Sequence, residues 1–148
     1  MTPHFSLAEL TRSNTATRLK LENTPTPDAL ERLQATAEML ERIREHLGYP
    51  LTVTSGYRSP EVNKAVGGVT SSDHAQGMAA DFVCPGFGSP FEVCKALAPH
   101  VSVLDIRQLI YERVGGKTWV HVSTRQPAKV VNRVITASDS GFLLGVVA

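Results

Sequence analysis

The chain is short of cysteine, of aromatic residues, of net charge and of long apolar runs, and each scarcity excludes something. Cys84 and Cys94 are its two cysteines. They form no C-x-x-C pair, and two thiolates cannot close a structural zinc site alone. They read as small buried thiols. Aromatic residues make up 6% of the sequence and the formal net charge is +1. A nucleic-acid surface needs a basic stripe with interleaved aromatics, so no nucleic-acid partner is expected. The longest apolar run, "FLLGVVA" at 142–148, is far shorter than the roughly 20 residues a bilayer span requires, so no membrane insertion is expected. "MTPHFSLAEL" lacks the basic and apolar regions of a signal peptide. Synthesis in the cytoplasm is expected, with any action outside following release.

What is present suffices for a core. The 148 residues are 42% hydrophobic, which suggests a single domain over 1–148, monomeric and without disulfide staples. Ser6 and Glu9 fit a capping box that opens a helix in "SLAELTRS". Thr26 and Pro27 start a long helix with Leu30, Leu33, Ala37, Leu40, Ile43 and Leu47 at helical spacing, ended by Gly48. "LTVTS" (51–55) reads as a strand. Ser59 and Pro60 open a short helix, "PEVNKAV", stopped by Gly67-Gly68. "MAADFVC" (78–84) reads as a buried strand, and Ser89, Pro90 and Glu92 start another helix that stops before Pro99. The tail from Lys129 adds one or two strands. Helices and strands mix without regular βαβ alternation, so the expected class is α+β with a mostly antiparallel sheet and flanking helices.

Residues 106–124, "IRQLIYERVGGKTWVHVST", read as a hairpin turning at Gly115-Gly116. A two-residue turn sets Glu112 opposite Trp119 and Ile110 opposite His121. Side chains alternate along each strand, so Glu112, Trp119 and His121 share one face, while Leu109, Tyr111, Val120 and Val122 share the other. Glu112 and His121 are then diagonal neighbours roughly 7–8 Å apart, a suitable spacing for a metal ligand and a base. One residue more or less in the turn would move Glu112 to the wrong face.

In "SSDHAQGMAADF" (71–82), His74 and Asp81 bracket a bend at Gly77 with small residues around it. With His121 they could supply the three protein ligands usual for catalytic zinc, Zn2+ being the cofactor expected. Two neutral imidazoles and one carboxylate leave the ion a net charge near +1, and a coordinated water then has a pKa of about 7. Spacing alone is equally compatible with a strand-edge aspartate bonded to a backbone amide and a surface histidine on a half-exposed strand. His4, His46 and His100 have no carboxylate at comparable spacing and read as surface or capping residues.

Three stretches in order, "SGYRSPEVNKAVGG", "SSDHAQGMAADF" and "WVHVS", resemble the zinc D-Ala-D-Ala carboxypeptidase family. That family shares a hedgehog-like fold with D-Ala-D-Ala dipeptidases and phage L-alanyl-D-glutamate endopeptidases. The resemblance spans residues 5 to 125 and carries the pattern S-x-H-x6-D followed by W-x-H. It implies His74, Asp81 and His121 as zinc ligands and Arg58 as the arginine near the scissile carbonyl. It also implies Ser72 as a residue that bonds substrate or a neighbouring ligand. The pattern departs in one place: where the dipeptidases carry their catalytic carboxylate, three residues before the last histidine, this chain has Thr118. Glu112 is therefore the expected general base and acid, with Asp105 as fallback, while the Asp73 side chain is expected to point away. The implied activity is hydrolysis of peptidoglycan stem peptides, by a phage or prophage lysin, a virion component or a bacterial enzyme. The competing reading is a zinc-bearing wall-binding or phage structural module without turnover.

Overall fold

The computed structural model describes residues 1–125 and 132–148. Near the start, α1 (Leu7–Thr11) is capped by Ser6, whose Oγ accepts from the Glu9 amide. This is the short helix expected within residues 6–13. A second short helix, α2 (Asn14–Leu19), begins under its own cap at Ser13. In α3 (Pro27–Leu47), Thr26 caps the first turn and Gly48 closes the last with φ 79°. Its buried stripe runs through Ala29, Leu33, Ala37, Leu40, Ile43 and Leu47. Leu30, expected in that stripe, is exposed, because Ala29 takes the inward place in the first turn.

The remaining elements are β1 (Thr52–Ser55), α4 (Pro60–Ala65), β2 (Ala79–Val83), α5 (Pro90–Leu97), β3 (Gln108–Val114), β4 (Lys117–Ser123), β5 (Arg133–Ser138) and β6 (Gly141–Leu144). Both halves of the Ser89–Glu92 capping box form. A 3-10 turn, Ala98–His100, carries the chain on past Pro99. The expected tail strands are β5 and β6, while residues 129–131 of that tail lie outside the described residues. No described helix is long and apolar enough to cross a membrane.

The fold is α+β around a six-stranded sheet of order β1-β2-β4-β3-β5-β6. Every pairing is antiparallel except β3 with β5. Gly115 and Gly116 both have positive φ, 60° and 76°, the geometry of a tight hairpin turn that residues with a Cβ adopt reluctantly. The resulting register sets Val114 against Lys117, Glu112 against Trp119 and Ile110 against His121.

That register decides what each face does. Leu109, Tyr111, Val120 and Val122 join Ala80 and Phe82 in one apolar cluster with Leu33, Leu40 and Ile43 of α3 and Val93, Cys94 and Leu97 of α5. Helices therefore cover one face of the sheet. Asp81, His121, Trp119, Glu112 and Ile110 stand on the other face. Cys84 and Cys94 are free and buried, and Cys94 is pushed up to about 12 by burial.

Candidate metal centre

β2 and β4 pair so that Asp81 lies directly opposite His121. Cross-strand partners share a face, and Asp81 Oδ1 meets His121 Nδ1 at 2.9 Å. The third group arrives on the loop before β2. Gly77 turns that loop with φ 78°, and a Cβ there would lie 2.5 Å from the Ala29 carbonyl oxygen. A residue without a side chain is needed on both counts. Thr36 Oγ1 donates to the Gly77 carbonyl at 2.7 Å, and Arg32 Nε donates to the Gln76 carbonyl at 2.6 Å. The loop is thus docked on α3, with His74 buried.

His74 Nδ1 lies 2.8 Å from the Gly56 carbonyl oxygen. A carbonyl only accepts, so Nδ1 carries the proton and Nε2 is the nitrogen left with a free lone pair. Nε2 stands 3.3 Å from Asp81 Oδ1. One ligand atom from each of His74, Asp81 and His121 lies within 4.8 Å of the other two. Ligand atoms about 2.0–2.2 Å from a tetrahedral zinc ion stand roughly 3.3 Å from one another. The 2.9 and 3.3 Å contacts at the shared Asp81 oxygen match that edge length. Two imidazoles and one carboxylate are also a donor set zinc accepts, so the residues fit the ion.

The electrostatics follow from crowding unlike charges in a nearly closed space. Burial works to raise the Asp81 carboxyl, but the charges and hydrogen bonds of His74 and His121 together outweigh it and hold Asp81 well below the usual carboxylate range. Burial works to lower His121, yet its hydrogen bond and charge contact with Asp81, helped by Glu112 and Asp73, leave it raised. Glu112 is raised, first by burial and then by the Asp81 charge, against the opposing pull of His121 and His74. It stands one cross-strand row from His121, beside the half-buried Trp119.

Arg58 and Ser72 are brought together. Arg58 Nη2 donates to Ser72 Oγ at 3.2 Å, and the same oxygen accepts from the His74 amide at 3.2 Å. Burial lowers the Arg58 guanidinium, with the Asp81 charge opposing. Its Nε is buried and has no partner among the described residues. Asp105 is placed elsewhere: its exposed carboxylate pairs with Arg107 at 2.7 Å on the turn before β3. Thr118 lies opposite Arg113, and alternation along β4 turns it to the face away from His121. His4 pairs with Glu41 at 2.8 Å, and the exposed His46 and His100 rings pack against each other.

Sequence reasoning missed the Gly56 carbonyl that fixes the His74 tautomer. It placed Asp73 aimed away from the ligands but did not see what Asp73 reaches, namely Ser123, Arg125 and Gln108. Neither residue type carries a spacing signal, since their partners are far along the chain.

A histidine–aspartate–histidine cluster drawn from a loop and two strands, with a half-buried glutamate one row from His121, is a donor set suited to a metal-dependent hydrolase. The profile described as Peptidase M15 matches residues 3–123, and the chain belongs to that family of zinc peptidases. No curated protein shows significant similarity to it. The match ends with β4, so β5 and β6 lie beyond it.

Proposed function

We propose that this member of the family hydrolyses the stem peptides of peptidoglycan, at a D-Ala-D-Ala terminus or at an L-Ala-D-Glu bond. His74, Asp81 and His121 hold the ion in this reading. When bound, zinc supplies Lewis acidity, polarising a scissile carbonyl and acidifying water. Glu112 takes the proton of the attacking water and delivers it to the leaving amine. A single observation carries this assignment: Glu112 shares the sheet face of Asp81 and His121, one row from His121. Arg58, beside the Asp81 charge, stabilises negative charge on the substrate through its permanent charge. Ser72 holds both Arg58 and the His74 backbone in place.

The hedgehog-like arrangement is our reading of the fold, supported by an antiparallel sheet with helices on one face and the site on the other. One monomeric domain over 1–148 accommodates it. A peptidoglycan substrate sets the place of action at the cell wall, reached after release from the cytoplasm or as part of a virion.

Thr118, standing where the dipeptidases have their carboxylate, favours a second reading, a zinc-bearing wall-binding module without turnover. Digestion of purified peptidoglycan, followed by mass analysis of soluble products with and without chelator, separates the two. Hydrolysis predicts chelator-sensitive release of free D-alanine or of fragments with new alanine and glutamate ends. Zinc-loaded protein that binds the wall yet releases nothing overturns the peptidase reading.

A further inference from the structure

We propose that Asp73 is a positioning residue: its carboxylate clamps the loop carrying His74 to the end of the strand carrying His121, and so sets the separation of the two imidazoles. The inference rests on reading His74, Asp81 and His121 as ligands of one ion.

Ser123 lies two residues beyond His121 on β4 and opposite Gln108 on β3, so both side chains belong to the sheet face that carries the ligands. Asp73 Oδ2 accepts from Ser123 Oγ at 2.9 Å and, more weakly, from Gln108 Nε2 at 3.4 Å. Asp73 Oδ1 accepts from Arg125 Nη1 at 3.1 Å. Ser123 Oγ also takes the Arg125 amide at 3.0 Å, and Gln108 Oε1 takes Arg133 Nη2 at 2.9 Å, which extends the network to β5. On the loop side, the Asp73 carbonyl accepts from the amides of Gln76 and Met78. One residue therefore closes the loop on itself and fastens it to β4, immediately before His74. The other hydrogen bonds to His74 come from Gly56 and Arg58, on the segment after β1, and from Ser72 and Gly77 of its own loop, and none of them reaches β4. Because Arg125 is half-exposed, the ion pair itself adds little stability. The effect falls instead on the relative placement of two ligands.

The test measures zinc dissociation constants by chelator competition and Co2+ absorption spectra on the full chain, with melting of the metal-free protein alongside. Asp73→Ala is expected to weaken zinc binding about ten- to hundredfold and to alter the Co2+ spectrum. Ser123→Ala is expected to weaken it less, because Gln108 and Arg125 still hold Asp73, and the double variant should fall short of the sum of the two losses, because the Asp73–Ser123 bond is shared. Asp73→Asn, which keeps an acceptor oxygen, should recover part of the loss. Ile43→Val, in the core of α3, should lower the melting temperature and leave affinity unchanged. Affinity of Asp73→Ala within about threefold of the parent overturns the clamp, as does equal loss in Ile43→Val. Should Asp73→Ala fail to fold, Ser123→Ala and Arg125→Ala carry the comparison, and unchanged affinity and spectra in both overturn the proposal. A parent chain that binds no zinc overturns the metal reading itself, an outcome distinct from the others.

Discussion

Glu112 sits under competing influences: burial and the Asp81 charge favour its protonated form, while His121 and His74 favour the carboxylate. The first effects win, and this has two measurable consequences. In turnover, Glu112→Gln should retain zinc and lose at least about a hundredfold in rate. In stability, a folded-state pKa raised above the unfolded value means that the folded chain binds the proton more tightly. Stability is then present in full below the unfolded pKa and is lost as pH rises through the folded one. Glu112→Gln should therefore stabilise the metal-free protein at neutral pH and lose that advantage well below pH 4, which paired thermal melts would reveal. Rates near those of the parent would remove Glu112 from the mechanism.

Among the elements, the ligand loop depends on its contact with the first turn of α3. Gly77→Ala introduces a Cβ at positive φ and 2.5 Å from a backbone oxygen that cannot move aside cheaply. A loss of roughly 1–3 kcal/mol is expected, accompanied by weaker zinc binding, because His74 rides on the same loop. Denaturant titration with and without zinc checks both. The elements most readable in the sequence were those with local chemistry at their ends. Thr26, Pro27 and Gly48 bounded α3, and Gly115-Gly116 between alternating runs fixed the hairpin register that puts Glu112 beside His121. In contrast, α2 escaped because six residues, NTATRL, show no apolar periodicity. The parallel pairing of β3 with β5 escaped because a crossover helix usually announces parallel strands, and the sequence between these two reads first as the partner strand of a hairpin. Leu30 was misplaced because its spacing fits the stripe, while its burial depends on where the sheet ends. The metal ligands could be picked out as residue types. That their atoms converge on one Asp81 oxygen depends on a β2–β4 register set by partners 40 residues apart.

At the level of the whole molecule, the site lies on strands in the middle of the sheet, and β5 and β6 protect it from becoming an edge. Ile110 of β3 is buried against Ile135 and Ala137 of β5, on the same face as the ligands. A chain truncated after Arg125 would retain the whole family match, yet β3 would become an open, apolar edge. Such edges pair with other chains. The truncated protein should melt at lower temperature and aggregate, as light scattering during heating would show, and a soluble product with the parent's melting temperature would make β5 and β6 dispensable.

The account's central claim is that one ion is held by three side chains drawn from a loop and two strands. Metal content after dialysis against buffered zinc tests it most directly. The parent chain should hold one equivalent, and His121→Ala and Asp81→Ala none, both variants remaining folded by circular dichroism. A full equivalent retained by either variant would contradict the ligand assignment.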